Sequence, residues 1–369
     1  MKKLRMIISG GGTGGHIFPA ISIANALKIR YPDTEILFVG AEGRMEMSKV
    51  PSAGYEIVGL KIAGMNRKNV FKNFSVAWKL LRSFGKAKAI IRNFKPDVVI
   101  GVGGYASGPT LKMAASLRIP TLLQEQNSYA GITNKHLAKK ASKICVAYEG
   151  MERFFPKHKI VLTGNPVRQD LDSPLLNQEE SRKHFGLDPL RKTILVIGGS
   201  LGSRTINMSI INQINLIKDK NIQILWQCGP HYISEMAIQL NENENKEKVC
   251  LYDFINRMDL AYNAADLVIS RAGAGSISEL SLLGKPAILV PSPNVSEDHQ
   301  TKNAEALVKR DAAIMIKDKK ATSDLLQTAL DIVENDEKLK ELSDNISKLA
   351  QRNSADRIVD EIVKLVEKQ

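Results

Sequence analysis

Three short runs combine glycines with side chains that could hold an anion or move a proton. The first, Gly10-Gly11-Gly12-Thr13-Gly14-Gly15-His16, follows the apolar run Met6-Ile7-Ile8 and precedes a helical pattern. Glycines at a strand-to-helix turn let the backbone approach a ligand, and the helix's unpaired N–H groups and dipole favour negative charge there. His16, directly after the glycines, has the chemistry of a general base for a hydroxyl nucleophile or of a donor to phosphate. Gly10, Gly12 and Gly15 also spell G-x-G-x-x-G, so a nicotinamide dinucleotide must be weighed. That fingerprint wants an acid at the end of the second strand. Glu35 stands at the start of that strand and Glu42 beyond its end, which leaves the fingerprint incomplete.

Gly198-Gly199-Ser200-Leu201-Gly202-Ser203-Arg204 repeats the design and adds a hydroxyl and a guanidinium. Arg271-Ala272-Gly273-Ala274-Gly275-Ser276-Ile277-Ser278-Glu279 does so a third time. Here Ser276 and the backbone would hold phosphate, while Glu279, one turn into the helix, would accept bonds from ribose hydroxyls. The plainer alternative for Glu279 is a first-turn acid that complements the helix dipole. Two phosphate-type loops in one half of the chain favour a nucleotide over any other ligand.

These loops need elements to hold them, and the pattern supplies strands alternating with helices. Met6-Ile7-Ile8, Glu35 to Gly40, Pro96 to Gly101 and Pro120 to Glu125 read as strands, with a helix over Ile17 to Ile29. About half a chain later the pattern restarts with Thr193 to Ile197. Further strands follow at Ile222 to Trp226, Asp266 to Ser270 and Ala287 to Val290. Near-continuous apolar strands separated by helices predict parallel sheets covered on both faces. The expected fold is α/β: two doubly wound Rossmann-like domains facing a cleft, with ligands at the carboxyl ends of the strands. The expected boundaries are 1–165 and 166–350 for the two domains, joined near Gly164-Asn165-Pro166, followed by a C-terminal segment, 351–369. That last segment reads as an amphipathic helix with Ile358, Ile362, Val363 and Val366 on one face, packing back toward the first domain.

At 369 residues the chain is long enough for about two cores. Apolar residues at 43% and charged residues at 25% exclude a disordered or fibrous chain. The formal net charge of +13 asks for an anionic partner: nucleic acid, a phospholipid surface or a phosphorylated substrate. Aromatics are only 5%, and no basic strand is studded with them, so nucleic acid is not the expected partner. Cys145, Cys228 and Cys250 are scattered singly and predict neither a disulfide framework nor a zinc site. The apolar stretch near the N-terminus is too short for a signal-peptide core, and no run approaches the roughly 20 residues that span a bilayer.

The ordered set of motifs resembles one family. Gly12-Thr13-Gly14-Gly15-His16-Ile17-Phe18-Pro19-Ala20, Gly103-Gly104-Tyr105-Ala106-Ser107-Gly108-Pro109, Glu125-Gln126-Asn127, Gly164-Asn165-Pro166-Val167-Arg168, Gly198-Gly199-Ser200 and the Arg271-to-Glu279 loop all occur in sequence. Together they resemble the MurG family of bacterial N-acetylglucosaminyltransferases over nearly the whole chain. The resemblance implies a glycosyltransferase fold of the GT-B type and inverting transfer from UDP-N-acetylglucosamine to lipid I, giving lipid II for peptidoglycan. It implies donor contacts from Thr13, Gly14, Gly15, Asn127, Arg168, Ser200, Ile255, Ala274, Gly275, Ser276, Glu279 and Gln300, with His299 the alternative to Gln300. For Ile255 the implied contact is from the backbone to the uracil edge. Gly104 and Tyr105 would meet the acceptor. His16 is the first candidate for the base and Glu125 the second. No cofactor and no bound metal are expected; Asp170-Leu171-Asp172 matches Asp-x-Asp, but follows the Asn-Pro joint rather than a strand. The alternatives are another GT-B glycosyltransferase, a UDP-sugar epimerase, or a nucleotide-binding membrane scaffold without turnover.

Between Val70 and Arg92, Phe71, Phe74 and Trp78 share one helical face and Lys72, Lys79 and Lys86 another. Packing onto the first sheet explains part of such a stripe. Aromatics beside a cationic face are also the composition of a helix lying in a lipid interface. The expectation is a peripheral protein on the cytoplasmic face of the bacterial plasma membrane, docked on anionic lipid, with cell-wall synthesis proteins as possible neighbours.

Overall fold

The computed structural model describes residues 3–62, 73–167, 171 and 177–368, with the side chains of 73–79 and 296 outside that description. Two compact units emerge: residues 1–168 together with 351–369, and residues 169–350.

The apolar runs of the first unit form β1 (Arg5–Gly10), β2 (Glu35–Ala41), β3 (Glu56–Leu60), β4 (Val98–Gly103), β5 (Thr121–Glu125), β6 (Lys143–Val146) and β7 (Ile160–Leu162). They make one parallel sheet in the order β3-β2-β1-β4-β5-β6-β7. Between them run α1 (Gly14–Arg30), α2 (Glu46–Ser52), α3 (Asn73–Phe94), α4 (Ser107–Ser116) and α5 (Ile132–Leu137). Ile7, Ile8, Val99, Ile100 and Leu122 have no exposed surface, as strands covered on both faces require. The chain winds outward in both directions from the β1–β4 pair, so the switch point lies between the loops that follow those two strands.

The second unit repeats the scheme with α6 (Gln178–His184), β8 (Lys192–Ile197), α7 (Arg204–Gln213), β9 (Ile222–Gln227), α8 (Ile233–Asn241), β10 (Val249–Tyr252) and α9 (Met258–Ala264). It continues through β11 (Leu267–Ser270), α10 (Ala274–Leu283), β12 (Ala287–Leu289), α11 (His299–Val308), β13 (Ile314–Met315), α12 (Asp318–Val333) and α13 (Asp336–Ser347). Its parallel order, β10-β9-β8-β11-β12-β13, puts the switch point between the loops after β8 and β11. Trp226 is fully buried in this core, and its indole N–H donates to Asn207 Oδ1 at 3.1 Å.

The last helix, α14 (Ser354–Glu367), belongs to the first unit. Ile358, Val359 and Ile362 are fully buried in one cluster with Ile23 and Leu27 of α1, and Val363 and Val366 pack against it. Asp360 pairs with Arg30, and the Arg357 guanidinium donates to the Leu162 carbonyl. The division between units falls after residue 168, a few residues past the Asn-Pro pair. Asn165 is buried in the first unit, where it accepts from Gln124 Nε2 at 2.9 Å and donates to the Gln126 carbonyl at 3.0 Å. Asn165 is therefore part of the first unit's interior instead of a linker.

Candidate functional site

The predicted helix at Ile17 begins three residues earlier, at Gly14, so the glycines themselves form its first turn. Thr13 caps it with extended backbone and no side-chain capping bond to the helix's backbone N–H groups, which leaves those groups to other partners. His16 Nδ1 lies 3.1 Å from the Gly11 carbonyl oxygen and 3.3 Å from Thr13 Oγ1. A carbonyl oxygen only accepts, so a hydrogen bond to Gly11 requires the proton on Nδ1, which in the neutral ring leaves the lone pair on Nε2. The ring rests on the loop after β4: a Cβ on Gly103, where φ is +95°, would come within 2.8 Å of Nε2. Gly104, with φ +88°, brings its backbone so close to Gly11 that a Cβ would lie 2.3 Å from the Gly11 oxygen. Both glycines are required by contact and by φ, and the two loops at the first switch point form one surface. Tyr105 follows with its ring half exposed.

Glu46, which the sequence reading passed over, is the hidden part of this site. It is 1% exposed, and its carboxylate accepts from Gly12 N at 2.8 Å and from Ala41 N at 3.0 Å. Its signal in the sequence is faint: an acid just past β2, with Gly11 and Gly40 giving up side chains to admit it.

Glu125 is also buried, but its oxygens are already engaged. Oε1 accepts from the backbone N–H and side-chain amide of Asn127, and Oε2 from Gly131 N and Asn134 Nδ2, at 2.9–3.3 Å. Four donors on one carboxylate make it the organiser of the loop after β5, which presents Asn127. Gln126 is buried too, and its amide donates to the Val102 carbonyl at 2.7 Å.

In the second unit the two remaining glycine loops are stapled together. Arg271 donates to Ser203 Oγ at 2.6 Å, pairs with Asp318 at 2.5 Å and donates to the Val290 carbonyl at 3.0 Å. Its guanidinium is a clamp between loops rather than a ligand group. Arg204 is exposed and pairs with Glu235 at 3.1 Å. Ser200 is exposed at the tip of its loop. The α10 N-terminus is capped by Gly273 without any side-chain bond, so Ala274, Gly275 and Ser276 present the first turn of a helix directly to the switch point.

Two further residues unseen in the sequence orient this region. Buried Gln227 donates to the Gly199 carbonyl at 3.2 Å and accepts from Ile255 N at 2.9 Å. It thus locks the second glycine loop to the segment after β10. The Ile255 N–H is used internally, so a backbone contact from Ile255 to a ligand falls to its carbonyl. The buried Tyr262 hydroxyl donates to Glu279 Oε2 at 2.8 Å and fixes that carboxylate's direction. Gln300 Oε1 accepts from Ser292 N at 2.8 Å, and His299 Nε2 lies 3.4 Å from Glu297.

Arg168, Asp170, Asp172, Phe71 and Lys72 lie outside the described residues, as do the side chains of Phe74, Trp78 and Lys79. Lys86 on α3 is half exposed and pairs with Glu42 at 3.1 Å. Leu81, on the same helix, is 64% exposed. Among the described residues no helix is long and apolar enough to cross a membrane. Burial pushes the Cys145 and Cys228 thiols up to about 12 and 11, and raises Cys250, so none is poised as a nucleophile.

Residues 6–146 match the glycosyltransferase family 28 N-terminal domain and residues 193–360 the C-terminal domain of that family. The chain is 64% identical, over all of both chains, to the UDP-N-acetylglucosamine--N-acetylmuramyl-(pentapeptide) pyrophosphoryl-undecaprenol N-acetylglucosamine transferase of Parabacteroides distasonis. It is 60% identical to the Phocaeicola vulgatus protein of the same name, over 100% of this chain and 98% of that one. The crystal structure of Acinetobacter baumannii MurG superposes with a TM-score of 0.80 at 29% identity, covering 98% of this chain and 99% of that one. With both family 28 domains, two doubly wound parallel sheets and full-length relatives of one name, the chain belongs to the MurG family of GT-B glycosyltransferases.

Proposed function

We propose that the protein transfers N-acetylglucosamine from UDP-N-acetylglucosamine to the 4-hydroxyl of the N-acetylmuramoyl unit of lipid I, giving lipid II for peptidoglycan. The observation that carries this reading is the His16 ring, held by Nδ1 on the Gly11 carbonyl at the first switch point. In the proposed step Nε2 takes the proton of the acceptor hydroxyl while that oxygen attacks the anomeric carbon. The new C–O bond forms as the bond to the UDP oxygen breaks on the opposite face, so configuration inverts. Negative charge then grows on the departing diphosphate. The first turn of α10 with Ala274, Gly275 and Ser276, together with Ser200, meets that charge, with Arg168 as a further cation. Glu279 takes the ribose hydroxyls, the Ile255 carbonyl the uracil edge, and Gln300 completes the donor set; Thr13, Gly14, Gly15 and Asn127 are the first unit's share. Gly104 and Tyr105 face the acceptor. The four donors already on Glu125 favour His16 over it as the base.

The test is incubation with labelled UDP-N-acetylglucosamine and a short-chain lipid I analogue. Labelled disaccharide lipid supports the reading. Hydrolysis or epimerisation of the donor without an acceptor would replace it by an epimerase, and donor binding without turnover by a scaffold.

Tyr262→Phe separates binding from chemistry. Losing the hydroxyl that aims Glu279 is expected to cost about 1 kcal/mol, or roughly 5-fold in donor KM, with kcat nearly unchanged. Initial rates against donor concentration measure it, and a fall in kcat at constant KM would contradict the assignment.

The acceptor stays in the bilayer, so we place the protein peripherally on the cytoplasmic face. The +13 net charge and the exposed Leu80 and Leu81 on α3 support this. Each basic residue near anionic lipid contributes on the order of 1 kcal/mol. Lys86, already paired with Glu42, should contribute least of the three lysines. Vesicles containing phosphatidylglycerol should sediment the wild-type protein at low salt and release it at high salt. The Lys72→Glu, Lys79→Glu, Lys86→Glu triple variant should bind weakly at both, and equal binding by the two proteins would remove this helix from the account.

A further inference from the structure

We propose that Glu46 is a positioning residue for His16, acting through the single peptide group between Gly11 and Gly12. The inference rests on His16 being the base. That peptide's N–H donates to Glu46 Oε2 at 2.8 Å, and its C=O lies 3.1 Å from His16 Nδ1. A carboxylate, a peptide and an imidazole thus stand in series. A buried anion drawing on the N–H end increases the negative charge at the carbonyl end, because hydrogen bonds in a chain polarise one another. The more negative carbonyl oxygen holds the proton on Nδ1 and keeps the lone pair on Nε2. When Nε2 takes the hydroxyl proton, the same oxygen stabilises the imidazolium, and the Nδ1 proton stays where it is. A carboxylate directly on histidine does this in hydrolase triads; here a backbone amide is interposed.

The site is built for this side chain. Glu46 is 1% exposed, and its second oxygen is anchored by Ala41 N at 3.0 Å, so both ends of the carboxylate are fixed. A Cβ on Gly11 would sit 2.2 Å from the carboxyl carbon, and one on Gly40 2.6 Å from Glu46 Cγ. Two glycines make room for one acid. The Thr13 hydroxyl, 3.3 Å from Nδ1, is the competitor: donating to Nδ1 it would favour the opposite tautomer. Polarisation of the Gly11 carbonyl by Glu46 decides that contest.

The experiment uses the full chain labelled with ¹⁵N-histidine, the His16 signals being assigned by their loss in His16→Gln. The wild-type ring should carry its proton on Nδ1. Glu46→Gln keeps the volume but turns an amide N–H against a backbone N–H. It should mix or reverse the tautomer and lower kcat about 10-fold or more, with donor KM and UDP affinity within about 2-fold. A wild-type ring protonated on Nε2 would overturn the proposal with no variant needed, which also covers a Glu46→Gln protein that fails to fold. A folded Glu46→Gln with wild-type kcat and tautomer would overturn it as well. His16→Ala tells the two failures apart. If it is inactive while Glu46→Gln is normal, only the relay falls. If it is fully active, the base assignment falls first.

Discussion

Replacing His16 with alanine is expected to lower kcat by about 100-fold or more, the usual loss on removing a general base. The donor should bind as before, because the residues proposed to grip UDP most strongly lie in the second unit. The fold should also hold: His16 is only partly buried, and alanine favours the first turn of α1. Stopped assays at saturating donor and acceptor, with UDP affinity measured separately, check both halves of the claim. An unaltered kcat would move the base elsewhere, with Glu125 the remaining candidate. A loss of UDP affinity alone would make the imidazole a phosphate ligand.

The second large effect is expected at Glu279. Its carboxylate, aimed by Tyr262, is proposed to accept the ribose hydroxyls, remote from the anomeric carbon. Losing a hydrogen bond to a charged group costs about 1.5–3 kcal/mol, so Glu279→Ala should raise donor KM roughly 10- to 150-fold with little change in kcat. Glu279→Gln, which keeps an acceptor for Tyr262 and loses only the charge, should fall between. Equal losses in kcat and kcat/KM at constant KM would reject the role.

Much of this arrangement could be read from residue order because each device is local. A strand, a run of glycines and a helix lie next to one another in the chain, and their chemistry follows from adjacency. The glycine loops after β1, β4, β8 and β11 are of this kind, and the alternating elements fix the parallel sheets around them. Short edge strands such as β7 and β13 were not foreseen, since two or three residues carry no period. What positions the site was least visible. Glu46 reaches Gly12 from another element, Gln227 joins two loops through its two amide atoms, and Tyr262 meets Glu279 from the preceding helix. Each is a lone polar residue whose meaning lies in a partner distant along the chain. Arg204 shows the opposite case: its guanidinium stands beside a glycine loop, yet it pairs with Glu235, and Arg271 beside the third loop pairs with Asp318. Asn165 beside Pro166 reads as a joint, but buried bonds to Gln124 and Gln126 make it part of the first unit's interior.

The central claim is base-assisted, inverting transfer to the lipid acceptor, and the anomeric configuration of the product tests it most directly. Unlabelled α-linked UDP-N-acetylglucosamine and a short-chain lipid I analogue are incubated with the protein, and the disaccharide is analysed by proton NMR. The account predicts a β-linked disaccharide, seen as a large diaxial coupling between H1 and H2 of the transferred sugar. An α-linked product would contradict a single in-line displacement assisted by His16, and the absence of any disaccharide would contradict the transfer itself.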